Sequence, residues 1–290
     1  MKHAMLGAGA VGGLVGTALA SLGEEVTMIV RPEKLAHYPG KLTAERPSGS
    51  ITGPAHAVSK LTGHVDVLWI ATRTFQLQAA LPAVQSRPGM IVPLLNGVEH
   101  ISTLRARFGH DAVFPATIAV EAESPAPGHF IQRSPIVKLN LTSRAEPALG
   151  SIIARMSEIG FTCQFLDNEM TLLWAKLCFL ASFALVSSAS GLSKGGIDAD
   201  PKWREKLHAA IHEASAVAAA EGAEVAPEKI KALFDSFPPT LRSSMEKDVA
   251  AKRPLELDAI GGAIVRGGER YGIAVPVTRE LIARIRSISG

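Results

Sequence analysis

Three glycines follow the first apolar run of the chain at the spacing Gly-x-Gly-x-x-Gly: Gly7, Gly9 and Gly12. Lys2–Leu6 suits a buried parallel strand, and residues 10–22 repeat apolar side chains at helical spacing. In such a strand–turn–helix unit the glycines permit a tight turn, close approach of a pyrophosphate, and close packing of helix on strand. Ala10 and Val11 then offer the N–H groups and positive dipole end of the helix to phosphates. The spacing therefore predicts a dinucleotide-binding turn.

Arg31 follows the second predicted strand, residues 26–30. At this position an NAD-selective site usually carries an acidic residue for the ribose 2′-hydroxyl, whereas an Arg accommodates a 2′-phosphate. The nearest acidic residues, Glu24 and Glu25, precede the strand. The sequence therefore predicts NADP, used as NADPH, in preference to NAD, and with it redox chemistry.

Lys176 interrupts a strongly apolar helical stretch, residues 172–186. An ammonium in such surroundings is costly unless it is paired or its pKa falls. The alternatives are that the side chain reaches the surface or pairs with a buried carboxylate. Because apolar residues occupy all sides of the helix, a catalytic role is favoured.

Glu256 is a plausible counterpart for this amine, and it follows Pro254, a favoured first helical residue. The alternative is that Glu256 only complements the helix dipole in a first turn. Ser243 and Ser244 also leave two interpretations open, a helix N-cap or a pair of ligand-binding hydroxyls.

His208 and His212 lie one helical turn apart beside Glu213, which makes a metal site conceivable. The pattern lacks the Glu that follows the first His in a zinc-protease helix. A solvated helix face is favoured, and no metal is predicted.

The composition is that of a globular protein with ample core material: 290 residues, 47% hydrophobic and 20% charged. The net charge of +3 is spread along the chain without a basic patch, so nucleic acid is not an expected partner. Cys163 and Cys178 lie in apolar surroundings without metal-like spacing, as expected of reduced core residues in a cytoplasmic protein.

Strand and helix patterns alternate through the first half of the chain, which predicts an α/β fold with a Rossmann-type, doubly wound parallel sheet. Later, closely spaced strands predict an antiparallel extension. The expected strands after the first two cover residues 65–71, 90–95, 112–119, 128–131, 137–141 and 162–166. The expected helices after the first cover residues 75–84, 101–108 and 148–159.

From Asn168 onward the pattern predicts helices only, so a first domain of residues 1–167 is expected to precede an all-α domain of residues 168–290. Residues 172–186 are shorter than the roughly 20 residues of a membrane span and contain Lys176. A buried central helix is therefore expected, with no membrane partner.

The first twenty residues also admit a signal peptide, since Lys2 precedes an apolar run and Ala18-Leu19-Ala20 resembles a cleavage site. Cleavage there would remove a strand and most of a helix from an otherwise intact unit. The glycine spacing also has no purpose in a signal sequence, so the dinucleotide unit is favoured.

Several motifs in order make the chain similar to the ketopantoate reductase (2-dehydropantoate 2-reductase) family over nearly its whole length. The N-terminal glycine motif ending in Arg31 is weak alone. The further motifs are Asn96-Gly97, Leu173-Trp174-Ala175-Lys176-Leu177, Ser243-Ser244-Met245 with Asp248, Glu256-Leu257-Asp258 and Gly272-Ile273-Ala274-Val275-Pro276.

The resemblance implies NADPH-dependent reduction of a 2-keto acid, as in pantothenate biosynthesis, by a Rossmann domain and a helical substrate domain. It implies that Lys176 protonates the carbonyl oxygen and that Glu256 lies by the substrate and the nicotinamide ribose. It places Ser244 by the substrate and Asn96 by the cofactor and the catalytic Lys. Arg73 falls near the position where the family holds the 2′-phosphate with a Lys.

The chain departs from the family where two asparagines would hold the substrate, because Leu180 and Ala184 stand there. Gly261-Gly262 also replaces an Asn-Gly pair. Each asparagine side chain that is absent removes a hydrogen-bonding partner, which should weaken binding of a hydroxylated substrate by about 1–3 kcal/mol. The substrate is therefore expected to be either ketopantoate (2-dehydropantoate), reduced to pantoate, or a related 2-keto acid that is less polar.

Two alternatives remain open on the sequence. One is a β-hydroxyacid or opine-type dehydrogenase with a similar architecture, and the other is a non-catalytic NADPH-binding sensor. Retention of both Lys176 and Glu256 argues against the sensor. The sequence also leaves a homodimer open.

Overall fold

The computed structural model describes residues 1–289, which form two compact units. Unit 1 comprises residues 1–95 and 100–167. Unit 2 combines Asn96–Glu99, hereafter the bridging segment, with the chain from Asn168 onward. Four residues from the first half of the sequence are therefore built into the second unit.

Unit 1 contains the strands of the protein and five helices within the described chain. The strands are β1 Lys2–Leu6, β2 Glu25–Ile29, β3 Lys41–Glu45, β4 Ile51–Pro54, β5 His56–Val58, β6 Val67–Ile70, β7 Met90–Pro93, β8 Ala116–Ala119, β9 Ala122–Ala126, β10 His129–Gln132, β11 Val137–Thr142 and β12 Phe161–Leu166. The helices are α1 Ala10–Ser21, α2 Pro32–Leu35, α3 Leu77–Ala80, α4 His100–Phe108 and α5 Glu146–Glu158.

The main sheet is parallel throughout, with strand order β5-β2-β1-β6-β7. In its centre Met5 pairs with Met28 of β2 and with Trp69 of β6, and all three side chains are buried. Continuous apolar strands of this kind are typical of a sheet covered on both faces. The predicted α/β fold class and its parallel sheet are confirmed.

The predicted antiparallel extension forms two separate sheets that mix parallel and antiparallel pairs. One has the order β4-β3-β10-β9 and the other β12-β11-β8. Four of the strands, β3, β4, β5 and β9, are not among those predicted from the sequence. They are short, and most of their side chains are at least partly exposed, so they carry no long apolar run.

The single helix predicted over residues 75–84 is wrong. Two 3₁₀ turns, Thr74–Gln76 and Leu81–Ala83, flank the four-residue α3. Pro82 lies in the second turn, and a proline inside a helix removes a backbone hydrogen bond and clashes with the preceding turn. The segment is therefore broken rather than continuous.

Helix α1 is part of the core of unit 1, since its residues from Gly12 to Ala20 are buried. It contacts the parallel sheet and also β3, β4 and β10 of the second sheet. At Gly13 the helix backbone approaches the buried ring of Phe130 so closely that a Cβ atom would overlap the ring. This contact fixes how the helix packs on β10.

Unit 2 is built of helices, and no strand occurs in residues 168–289. The helices are α6 Glu169–Ser190, α7 Lys194–Ala199, α8 Pro201–Ala220, α9 Pro227–Asp235, α10 Ser244–Ala250, α11 Ala263–Tyr271 and α12 Pro276–Ser289, with a π-helical turn over Asp258–Gly262. Helix α6 contacts α8, α12, α10 and α9, so it forms the centre of this unit.

Helix α6 is also long and apolar enough to cross a membrane. Most of its apolar window is buried inside the protein, as in the core helix of a globular unit. The Asn168 side chain accepts a hydrogen bond from the backbone N–H of Thr171 at 2.8 Å and caps its start. Gly191, in the left-handed conformation at φ 73°, ends it.

We predict that Gly13→Ala lowers the free energy of unfolding by about 1–3 kcal/mol, because the new methyl group needs space that Phe130 fills. Urea denaturation measures the change. Gly63→Ala is the matched control, since Gly63 is exposed and its Cβ position is open. Equal unfolding midpoints for the two variants would contradict the tight helix–sheet contact.

Candidate functional site

The glycine turn after β1 has the geometry of a phosphate cradle. Gly7 adopts φ +106°, and a Cβ there would lie 2.7 Å from the backbone of Ala71 and Thr72. Gly9 is the N-cap of α1, and the space around its Cβ position is open. The N-terminal N–H groups of α1 therefore adjoin free space that suits an anion. These residues fit the pyrophosphate of a dinucleotide.

Arg31 and Arg73 follow the two strands that flank β1. Arg31 comes two residues after β2, Arg73 comes three residues after β6, and both side chains are exposed. Neighbouring strands lie about 4.8 Å apart, so both chain segments leave the sheet at the edge where the glycine turn lies. Arg31 approaches Glu33 at 3.6 Å, with both side chains well exposed, so this ion pair is weak. The two guanidinium groups suit a phosphate ester.

The predicted residues Lys176, Asn96 and Glu256 form one hydrogen-bonded chain within unit 2. The Lys176 Nζ donates to Asn96 Oδ1 at 3.0 Å, and Asn96 Nδ2 donates to Glu256 Oε2 at 3.0 Å. Glu256 is buried at 6% exposure, while Lys176 is half-buried. The carboxamide thus links an ammonium to a carboxylate.

The surroundings of Lys176 lower its pKa and so favour the neutral amine. Burial lowers the pKa of Lys176 to about 8, and the charge of Glu256 partly offsets that effect. A lysine with a pKa near the working pH is suited to general acid catalysis, because it is still protonated at neutral pH yet releases its proton readily.

Glu256 does not lie in a first helical turn, so the expectation that Pro254 begins a helix is wrong. The regular structure begins after Glu256 with the π-helical turn Asp258–Gly262, and Ile260 N–H donates to the Glu256 backbone carbonyl at 3.0 Å. The Glu256 side chain instead contacts Asn96. π-Helical turns occur frequently at functional sites.

Gly97 allows the bridging segment to come this close. It adopts φ +80°, and a Cβ there would lie 2.5 Å from the carbonyl oxygen of Ala259. Any other residue would push Asn96 away from the π-helical turn and from Glu256. The Asn-Gly pair is therefore explained by close approach as well as by the turn.

The two serines have different environments. Ser243 is buried and caps α10, where its Oγ accepts from Glu246 N–H at 3.0 Å and lies 2.7 Å from Ser187 Oγ. Ser244 is exposed at the first position of α10. Ser187 lies three helical turns beyond Lys176 on α6. The helix N-cap interpretation therefore holds for Ser243, whereas Ser244 is exposed and does not cap the helix.

The two positions that depart from the family differ in exposure. Leu180, one turn after Lys176, is half-buried, whereas Ala184 is fully buried in the core of unit 2. Beside Leu180, the half-buried Phe179 stacks on Phe237 with ring centroids 5.1 Å apart. The helix face next to Lys176 is therefore apolar.

His212 and Glu213, beside which a metal site was conceivable, have other partners. His208 and His212 are exposed, and Lys231 Nζ contacts His212 Nε2 at 2.9 Å. The Glu213 carboxylate caps α12 by accepting from the N–H groups of Val277 and Thr278, each at 2.8 Å. Among residues 1–289 no group of three or more His, Cys, Asp or Glu side chains could hold a metal ion.

Glu99 and Arg266 are two further residues near the site that were not predicted from the sequence. Arg266 Nε and Nη2 donate to the two carboxylate oxygens of Glu99 at 2.8 and 2.5 Å, and Nη1 donates to Asp258 Oδ1 at 2.8 Å. Both carboxylates raise the pKa of Arg266 further. Glu99 and Arg266 are 167 residues apart in sequence, so no local pattern could have paired them.

We predict that the Lys176 ammonium titrates near pH 8 and that Glu256→Gln lowers this pKa, because a stabilising negative charge is removed. Carbon-13 NMR of labelled lysine side chains follows the titration. Glu221→Gln, which removes a carboxylate paired with Arg270, should leave the Lys176 pKa unchanged. A Lys176 pKa that is equal in Glu256→Gln and wild type would contradict the electrostatic coupling.

Comparison with known proteins identifies relatives along the whole chain. The model for ketopantoate reductase PanE/ApbA matches residues 3–143, and the model for its C-terminal domain matches residues 168–289. The 2-dehydropantoate 2-reductase of Caulobacter vibrioides is 29% identical over 294 residues, which cover 98% of each chain.

Solved structures agree with these matches. The PanE/ApbA family ketopantoate reductase from Ralstonia eutropha JMP134 has a TM-score of 0.86 and 28% identity, covering 100% of this chain and 98% of that one. D-mandelate dehydrogenase, solved with NADH and anilino(oxo)acetate, has a TM-score of 0.87 over 100% of this chain and 98% of its own. At 22% identity that second likeness shows the fold alone. The family matches establish that this chain belongs to the ketopantoate reductase family of nicotinamide-dependent oxidoreductases.

Proposed function

We propose that this protein reduces a 2-keto acid to a 2-hydroxy acid with NADPH, and that Lys176 is the general acid. The observation that carries the proposal is the hydrogen-bonded chain of Lys176, Asn96 and Glu256 around an amine whose pKa is lowered to about 8. Family membership supports the reaction class.

The chemistry divides between cofactor and protein. A reduced nicotinamide, when bound, supplies a hydride to the carbonyl carbon of the substrate. As that C–H bond forms, the electron pair of the C=O π bond moves to the oxygen. Lys176 stabilises the developing negative charge and transfers a proton from Nζ, so an O–H bond forms as an N–H bond breaks.

The neighbours of Lys176 prepare this transfer. Asn96 accepts one N–H of the amine and so fixes its direction, which leaves the other N–H bonds for the carbonyl oxygen. The Glu256 charge partly offsets the burial that favours the neutral amine, so that most of Lys176 is protonated at neutral pH. We assign Glu256 a further role in binding the substrate and the nicotinamide ribose, by analogy with the family.

Residues 1–167 are proposed to bind the dinucleotide, and residues 168–290, with the bridging segment, to bind the substrate. The proposed phosphate-binding residues are those of the glycine turn and the start of α1: Gly7, Gly9, Ala10, Val11 and Gly12. Arg31 and Arg73 are proposed to hold the 2′-phosphate, and Asn96 to contact the cofactor as well as Lys176.

The proposed substrate carries a less polar side chain than ketopantoate. Phe179 and Leu180 support this because they present half-buried apolar surface one helical turn from Lys176, where the family has an amide at the second position. Ala184 supports it less directly, since it lies in the core and offers no hydrogen bond. Ser244 is proposed to bind the substrate by family analogy.

Another hydroxyacid dehydrogenase activity is the second candidate, because Leu180 and Ala184 replace two amide side chains on the substrate side of the reaction. D-mandelate dehydrogenase shares the fold and binds NADH, so both the substrate and the cofactor preference need measurement. The cytoplasmic location and the homodimer stay predictions.

The test of the function is a panel of 2-keto acids with NADPH oxidation followed by absorbance. We expect turnover of branched or aromatic 2-keto acids to exceed that of ketopantoate, because the face beside Lys176 is apolar. Lys176→Ala should abolish turnover and still bind NADPH. A strong preference for ketopantoate would reject the less polar substrate, and unchanged turnover in Lys176→Ala would reject the general acid.

We predict that Arg31→Ala weakens NADPH binding about tenfold to a hundredfold and leaves NADH binding nearly unchanged, since a charge-assisted contact contributes about 1.5–3 kcal/mol. Fluorescence titration of both cofactors measures the effect. Arg133→Ala, which removes an exposed arginine paired with Glu123, is the control. Equal or tighter binding of NADH by the wild type would overturn the assignment of Arg31.

A further inference from the structure

Asn96 can link Lys176 to Glu256 only if its short segment is held in place on unit 2. The bridging segment is four residues long and contains Gly97 in a left-handed conformation. Glycine has the largest conformational freedom of any residue, so the segment pays a large entropic cost on ordering. Val98 packs against the apolar core of unit 2 and supplies one anchor. A second anchor lies at Glu99.

That second anchor is polar and has a defined geometry. Arg266 binds both oxygens of Glu99 with two separate nitrogens, at 2.8 and 2.5 Å. Bidentate pairs of this kind fix direction as well as distance. The end of the bridging segment therefore has one preferred orientation on α11.

The same guanidinium also holds the other side of the site. Arg266 Nη1 donates to Asp258 Oδ1 at 2.8 Å, and Nη2 donates to the Asp258 backbone carbonyl at 3.1 Å. Gly262 leaves room for this contact, since a Cβ there would lie 2.8 Å from Asp258 Oδ1 and 2.9 Å from Arg266 Nη1. Glu99 lies three residues after Asn96, and Asp258 lies two residues after Glu256.

We propose that Arg266 is a positioning residue that clamps Glu99 to Asp258 and thereby holds the Asn96 carboxamide between Lys176 and Glu256. The inference rests on the proposed function for its kinetic consequence, but the clamp itself is a property of the fold. Its three side chains are 38–80% exposed, so it contributes little to overall stability. The main effect of the clamp is to hold the Asn96 carboxamide in position.

The first experiment is a kinetic comparison of Arg266→Ala with Arg270→Ala. Arg270 lies one turn later on α11 and pairs with Glu221 at 2.6 Å, so it matches Arg266 in residue type, helix and ion pairing. We expect Arg266→Ala to lower kcat about tenfold or more with KM for the keto acid changed by less than about threefold, because small misplacements are costly in catalysis. Arg270→Ala should keep wild-type kcat. Equal kcat in the two variants would overturn the proposal.

A double-mutant cycle tests whether Arg266 acts through Asn96. If it does, Arg266→Ala causes no further loss of kcat in an Asn96→Ala background. If the two substitutions instead lower kcat independently, the double variant shows the product of the two single reductions in kcat. That result would overturn the proposal. Glu99→Gln removes the carboxylate charge and leaves the Arg266–Asp258 contact. If Arg266→Ala does not fold, the kinetic comparison and the double-mutant cycle are carried out with Glu99→Gln instead.

Hydrogen exchange separates failure of this proposal from failure of the proposed function, since it needs no turnover. Exchange of the backbone amides in residues 96–99 should be faster in Arg266→Ala than in wild type and unchanged in Arg270→Ala. Unchanged exchange in Arg266→Ala would refute the clamp even in an active enzyme. Faster exchange in a protein that reduces no keto acid would support the clamp and refute only the function.

Discussion

The rest of the site depends on the two hydrogen bonds by which the Asn96 carboxamide joins Lys176 to Glu256. A direct ion pair between Lys176 and Glu256 would favour the charged amine strongly and hold its proton. With an amide between them, burial is the larger influence, and the amine has a pKa of about 8. The positive φ of Gly97, the packing of Val98 and the contacts of Glu99 all serve to bring this one amide into place.

The two units contribute different kinds of chemistry. In unit 1 the reactive features are backbone N–H groups and guanidinium groups at the edge of a parallel sheet, which suits the phosphates of a dinucleotide. In unit 2 they are a titrating amine and a buried carboxylate beside an apolar helix face. In the proposed function the first set binds the cofactor without a change of protonation, and the second transfers a proton.

Many features of the fold and the site could be predicted because they depend on residues that are close in sequence. The glycine spacing, the apolar strands and the long helix α6 each follow from residues that are close in sequence. Lys176 was identifiable because an ammonium is conspicuous in an apolar helix. The short strands β3, β4, β5 and β9 could not be found in this way, since their side chains are largely exposed and their pairing is decided by distant neighbours. The π-helical turn after Glu256 and the clamp at Arg266 depend on contacts across the fold.

The bridging segment lies between β7 and α4 in the sequence but belongs to unit 2. Unit 2 therefore cannot be isolated by a single cut in the chain. A fragment that starts at Asn168 would keep the ammonium and the carboxylate but lack the amide that joins them. A chimera that combines the first half of one relative with the second half of another would likewise bring together a foreign tetrapeptide and a native pocket. Exchange of intact pockets between relatives therefore requires moving Asn96–Glu99 together with the helices.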